Sequence, residues 1–409
     1  MSAAAAPTAF DALVLDAGLR QSLVAVRSLG RRGLSIAALD TSRTAPTFSS
    51  RWCRHRFVCP AAEGTEAYLS CLEQALDQCG ARVLVTSHDG TIALLRRHRQ
   101  RLEARVRIAL AAEPAMTIAV SKERTLDIAQ KLGLSAPRGL VIRAAGEAAA
   151  AVKEIGLPAV VKPDESWHAH DDQGAWVGPR LVTTPDEASA ALAEVTAGGF
   201  AALLQQYLSG RREAVSFLYA RGRVHARFAQ WARRTIPPLG GASVLRQSVP
   251  VPSDIGVQAE RLVREIELEG YSEVEFRRDG DGRPYLMEIN PRLSASVEVA
   301  VRAGVDFPHL IYQWARGGPI DDVAGYRTGG WMRHLGGDIM TTIAALEERG
   351  RPGVRTPARA VAEFGLSFLK PMGYDYVVWD DPLPAFRATT GFARYALRRC
   401  GSRLRRQFS

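Results

Sequence analysis

Two alternating segments, YSEVEFRR and PYLMEIN, flank a DGDGR turn signal between Tyr271 and Arg292. Adjacent Asp and Gly between alternating runs read as a β-hairpin. Centring the turn on Asp281 and Gly282 sets Glu275 opposite Glu288 and Glu273 opposite Asn290. On the other face Val274 meets Ile289, and Phe276 meets Met287. That face is apolar and belongs on a core, while the first gathers three carboxylates and an amide. Like charges placed directly opposite destabilise a strand pair. A hard cation between them reverses the sign, and Mg²⁺ takes oxygen ligands that it shares with phosphates. The hairpin therefore reads as a metal–phosphate platform. A solvated acidic face is the alternative, and it leaves the following Pro-Arg unexplained.

The rest of the chain has to supply a setting for such a platform. Residues 10–113 alternate apolar runs with helical stretches: FDALVLDAG, RQSLVAVRSLGRRG, LSIAALD, ARVLVTSHDG and TIALLRRHRQRL. This pattern predicts a parallel α/β sheet. Gly18 opens the first helix, where backbone N–H groups suit an anion. GxGxxG is absent there, so a nucleotide is expected elsewhere. His88 and Asp89 fall at the carboxyl end of a predicted strand, where open α/β sheets bind ligands. A helix N-cap is the plainer role for that aspartate.

From about residue 114 the pattern changes. SKERTLDIAQKLGLSAPRG reads as a capped helix ending at Gly133 and Pro137, and LPAVVKP as a short strand ending in lysine. AALLQQYLSG and REAVSFLYARGRVHARFAQW read as strands and hairpins, and 317–331 as a Gly- and Asp-rich linker.

EVEFRRDGDGRPYLMEINPRLSAS, followed by AGVDFPHLI, resembles the metal-binding segment of the ATP-grasp superfamily. The resemblance covers roughly residues 115–315, in the family's order. It implies that Glu275, Glu288 and Asn290 hold Mg²⁺, or Mn²⁺, against ATP, and that Arg292 stabilises the transferring phosphate. Lys122 and Lys162 match the two nucleotide lysines. LLQQYLSG matches the adenine segment, with the backbone of Gln206 and Leu208 at the ring edge and Gln205 where glutamate is frequent. Glu213 matches the ribose-binding residue. The implied fold is an ATP-grasp domain after a Rossmann-like parallel α/β domain, with a C-terminal extension. Boundaries fall at 1–113, 114–200 (small subdomain with lid), 201–318 (catalytic subdomain) and 319–409. Within the superfamily the chain looks most like predicted carboxylate–amine ligases, which form an acyl phosphate and then an amide, releasing ADP and phosphate. The implied partners are a small carboxylate, a small amine and a second copy of the chain.

One departure stands out. Where many relatives carry a glycine-rich flap, this chain has DESWHAHDDQGAWVG, which cradles phosphate less freely. His168 and His170 within it are only a faint transition-metal signal. Arg246, in GGASVLRQS, is a candidate fork for the substrate carboxylate.

Composition narrows the alternatives. The net charge of +10 suits an anionic ligand, while no zinc spacing, helix-turn-helix or RNA-binding motif supports nucleic acid. Five cysteines without a CxxC pair read as free thiols of a cytoplasmic protein. The N-terminal MSAAAAPTAF does not read as a signal peptide, and no run of about 18 apolar residues predicts a membrane span. The basic tail RYALRRCGSRLRRQFS reads as a solvated helix, or as one lying on anionic lipid with Phe392, Tyr395 and Leu404 on its apolar side. Two further readings stay open: an enzyme that phosphorylates bicarbonate, and a nucleotide-binding module without turnover.

Overall fold

The computed structural model describes residues 9–170, 173–238 and 241–407, with backbone alone at 169, 170, 173 and 397–407. Asp171, Asp172, Gly240 and the side chains of His170, Cys400 and Leu404 therefore lie outside the described residues.

The first domain is a five-stranded parallel sheet in the order Cys53–Val58, Ile36–Asp40, Ala12–Val14, Val83–Val85, Arg107–Ile108. Its three central strands are short runs buried throughout, as expected where helices cover both faces, while the edge strands carry exposed residues. Thr65 caps the helix Glu66–Cys79 by accepting from Tyr68 N, and Gly80 at φ 54° ends it. The crevice where strand order reverses is stitched shut by Asp16, which accepts from the hydroxyls of Thr86 and Thr91 and from the N–H groups of Ser87 and His88. The anion at Gly18 is the chain's own: Gly18 N donates to Asp40 Oδ2 at 2.6 Å.

A small antiparallel sheet follows, in the order Arg180–Val182, Ala159–Pro163, Ala202–Gln206, Gly139–Ile142. The helices Ala148–Ile155 and Pro185–Thr196 back it, and its core of Ile142, Val161, Leu192 and Leu204 is its own. Because Ala202–Gln206 lies in this sheet, the unit runs past the boundary expected at residue 200.

The third sheet has seven strands: Pro284–Asn290, Gly270–Arg278, Arg212–Ala220, Arg223–Ile236, Ala242–Val249, Trp331–Arg333 and Gly373–Tyr374. Its apolar face shares a continuous core with the first domain, Val215, Val274 and Ile289 joining Leu13 and Leu84. The hairpin register pairs Glu275 with Glu288, Glu273 with Asn290 and Val274 with Ile289. Phe276, however, pairs with Leu286, because a bulge takes up Met287.

The C-terminal extension joins the third sheet through two of its strands. Trp331–Arg333 pairs antiparallel with Ala242–Val249, and Gly373–Tyr374 adds a parallel edge strand. The expected linker is an ordered strap: Val323 N donates to His225 O, and Tyr326 Oη donates to Val249 O at 2.5 Å. Asp375 and Asp381 then reach back to Arg20 and Arg27 in the first helix. Cys53, Cys59, Cys71 and Cys79 are free thiols. Among the described residues no helix is long and apolar enough to cross a membrane.

Candidate active site

A cavity of about 210 Å³ lies between the small sheet and the acidic face of the large one. Lys122, Lys162, Gln205, Glu275, Glu288, Asn290 and Arg292 all border it. Residues from five separate elements, with Arg292 in the loop after the last, thus converge on one space. Gln206, Leu208 and Glu213 border it as well, and Arg246 does not.

Lys122 begins the helix Lys122–Lys131, placed by the Ser121 cap. Its ammonium donates to Asp164 O at 3.2 Å and Ser166 Oγ at 3.3 Å, and lies 3.8 Å from Glu288 Oε2. Lys162 sits in the buried strand Ala159–Pro163. Burial pushes its pKa down to about 8, with Glu288 opposing and Lys122 adding to the fall. Burial raises Glu275, helped by Glu288 and opposed by the neighbouring Arg212. For Glu288 burial acts the same way, but Lys122, Lys162, Arg212 and Arg292 outweigh it and hold the carboxyl below its usual range.

Three oxygen-bearing side chains therefore meet at the strand ends. Arg212 grips both oxygens of Glu275, and Asn290 Nδ2 donates to Glu275 Oε1 at 3.1 Å. Among the described residues no three His, Cys, Asp or Glu side chains form a metal cage. Two carboxylates and an amide oxygen are a hard, partial donor set, which fits Mg²⁺ completed by phosphate oxygens. Glu273 lies one pair further along, where Gln230 Nε2 donates to its Oε2 at 2.7 Å and to Ser296 Oγ at 2.5 Å.

Gln205 is 1% exposed, and neither atom of its amide has a partner. A buried amide left unpaired costs about 1–3 kcal/mol, and this residue borders the cavity. The N–H of Gln206 is already used by Arg138 O, and Leu208 is buried.

Two expected residues turn elsewhere. Glu213 borders the cavity but pairs in register with Phe276, one residue out of step with Glu275. Its carboxylate is taken by Arg278 at 2.5 Å and Arg211 at 3.1 Å. The side chain that faces the platform from this strand is Arg212. Arg246 is fully buried against Asp375, which it shares with Arg20. An arginine already neutralised in the interior is structural, not a fork waiting for substrate.

The glycine-poor flap forms a hairpin, Trp167–His170 with Gln173–Trp176. Trp176 borders the cavity. Trp167 packs into the first domain, where a Cβ on Gly90 would fall 2.7 Å from its ring and one on Gly64 would fall 3.1 Å away. Gly174, in the flap's own second strand, lies closer still, a Cβ there falling 2.1 Å from the ring. His168 stacks on Phe200 with centroids 3.8 Å apart.

Residues 200–335 match the family described as ATP-grasp in the biosynthetic pathway with Ter operon. The chain carries an ATP-grasp domain. Its whole fold is similar to that of an N5-carboxyaminoimidazole ribonucleotide synthetase solved as an ADP complex, with a TM-score of 0.64 at 13% identity, covering 90% of this chain and 99% of that one. The L-amino acid ligase of Bacillus licheniformis superposes with a TM-score of 0.59 at 18% identity over 77% of this chain and 76% of that one. The D-alanine–D-alanine ligase of Stutzerimonas stutzeri is 27% identical over 222 residues, 48% of this chain and 64% of that ligase. The match therefore spans just under two thirds of that relative.

Within the matched stretch, Arg212 and Gln230 border the cavity and were not singled out from the sequence. Strand period would have placed Arg212 on the acidic face, but only once Arg212–Ala220 was known to pair with Gly270–Arg278. Nothing local marks Gln230.

Proposed function

We propose that this protein joins a small carboxylate to a small amine through an acyl phosphate made from ATP, releasing ADP and phosphate. The observation that carries the reading is the cavity in which Glu275, Glu288 and Asn290 face Lys122, Lys162 and Arg292. The matches to named ligases support it, and their names direct the first substrate panel to amino acids.

In this mechanism Gln205 binds the adenine, and Lys122 and Lys162 contact the phosphates. Glu275, Glu288 and Asn290 would hold Mg²⁺, or Mn²⁺, which when bound neutralises phosphate charge. A carboxylate oxygen of the substrate attacks the γ-phosphorus, the bond to the β-phosphate oxygen breaks, and ADP leaves. Arg292 and Lys162 balance the charge spread over the transferring phosphoryl group. The amine then attacks the acyl carbon, the bond to phosphate breaks, and the amine gives up a proton. Glu273, beside Gln230 and Ser296, is placed to hold the incoming ammonium and take that proton. Trp167 and Trp176 exclude water, which would otherwise hydrolyse the acyl phosphate.

The same reading includes a cytoplasmic setting, a homodimer, and contact of the helix Leu383–Gln407 with a membrane surface, for which the exposed Leu383, Phe386 and Tyr395 are the support. Phe392 lies against Gly336, away from such a surface. Sedimentation and vesicle flotation test these two associations.

The decisive experiment measures ADP release with Mg²⁺-ATP over amino acids paired with amines, with bicarbonate as a further arm and Glu288→Ala as control. Release stimulated by one pair and abolished by Glu288→Ala supports the ligase reading. Stimulation by bicarbonate alone makes the enzyme a carboxylating one. ATP binding without turnover on any arm favours a regulatory module.

A further inference from the structure

A second cavity, of about 310 Å³, opens beside the first. Its walls come from the loop after Gln206, the strand Arg223–Ile236 and the helices Leu335–Glu347 and Pro357–Leu366. Six arginines line it: Arg211, Arg212, Arg233, Arg234, Arg277 and Arg355. Among the described residues no aspartate or glutamate does.

The acids behind the wall do not balance this charge. Glu213 serves Arg211 but also Arg278, and Asp338 serves Arg234 but also Arg333. Glu363 is shared by Arg233, Arg355 and Arg359, and Glu275 is gripped by Arg212. Arg234 is the most telling member. It is 5% exposed, its Nε lies 2.9 Å from Asp338 Oδ1, its Nη2 donates to Thr342 Oγ1, and its Nη1 has no partner. An incompletely satisfied guanidinium held away from water is expensive unless an anion completes it. Burial lowers the pKa of Arg234 and of Arg355, with Asp338 and Glu363 opposing.

We propose that this cavity binds a small molecule carrying two or more negative charges, a phosphate compound or a di- or tricarboxylate. Planar guanidinium forks suit either kind of anionic oxygen. Arg212 and Arg277 border both cavities, so the two sites share a wall. An anion that draws on Arg212 loosens its hold on Glu275, which couples occupancy of the second cavity to the platform in the first. That coupling rests on the reading of Glu275 given above, whereas the binding itself does not.

The test is calorimetric titration of the full chain, without nucleotide, with pyrophosphate and separately with citrate. Arg233→Gln, Arg355→Gln and Lys162→Gln are compared, with circular dichroism to confirm folding and an ATP titration of each. The expected result is that at least one anion binds the wild type and weakens tenfold or more in Arg233→Gln and Arg355→Gln. Lys162→Gln should keep that binding, and both arginine variants should keep ATP. Pyrophosphate alone identifies phosphate as the ligand chemistry, and citrate alone identifies carboxylate. If Lys162→Gln abolishes anion binding while the arginine variants retain it, the anion sits in the nucleotide cavity and the proposal is wrong. It is equally wrong if neither anion binds the wild type. Arg233 is partly exposed, so its variant remains informative should Arg355→Gln fail to fold.

Discussion

Arg292 Nε lies 2.5 Å from Asp89 Oδ1 and its Nη2 lies 3.2 Å from Asp89 Oδ2, so the arginine that follows the platform is fixed by the first residue of a helix in another domain. The pair works both ways. Burial lowers the arginine and raises the aspartate, but their mutual attraction prevails and favours the charged form of each. Asp89→Asn should leave Arg292 without its counter-charge, at a cost of ~3 kcal/mol of stability. Turnover should fall at least tenfold, with the KM for ATP changed less than kcat. An equal effect on both would mean that Asp89 serves only the fold.

Gln205 offers a prediction with two signs. Gln205→Leu removes an amide that is buried and unpartnered without nucleotide. The ligand-free protein should therefore gain about 1 kcal/mol, while ATP affinity should drop roughly tenfold as the base loses its contact. Chemical denaturation and nucleotide titration read the two effects separately. A variant less stable and unchanged in affinity would place the amide outside the base site.

The flap hairpin rests on glycine at its landing point. Gly90→Leu should push Trp167 off the first domain, and Trp167→Ala should produce the same state from the other side. In both, the ratio of ADP released to amide formed should rise severalfold, because water reaches the acyl phosphate. A ratio unchanged in both variants would show that the hairpin does not seal the site.

His334 makes stability depend on pH. Burial, with Arg20 and Arg246 adding and Asp375 opposing, pushes its pKa down to about 3, against about 6.5 in the unfolded chain. The unfolded state thus takes up the proton first. The contribution of the neutral ring is complete above about pH 6.5 and declines as pH falls towards 3. Between pH 7 and pH 5, above the range of ordinary carboxylates, His334→Gln should lose less unfolding free energy than the wild type. Parallel curves for the two proteins would place the ring in contact with water.

The platform was legible because a hairpin's register is set locally, by a turn and a period of two. What escaped was anything that depended on a distant partner. The bulge at Met287 shifts one pair and is invisible in the alternation. Glu213 and Arg212 are adjacent, and only the pairing with Gly270–Arg278 decides which of them shares a face with Glu275. Arg246 read as a substrate fork because a sequence does not show that Asp375, 129 residues later, neutralises it. The strands Trp331–Arg333 and Gly373–Tyr374 are two to three residues long and carry no strand signal apart from the sheet edge that receives them.

The order of synthesis gives one of these long-range pairs a further meaning. Arg27 is 1% exposed in the first helix, and the carboxylate it bonds is that of Asp381, 354 residues later. At about 5–20 residues per second, a ribosome takes roughly 20–70 s to supply that partner. Throughout this interval the emerging α/β domain carries a guanidinium destined for its interior without the acid that answers it. The interior of this α/β domain is thus completed only once Asp381, 354 residues after Arg27, has been made.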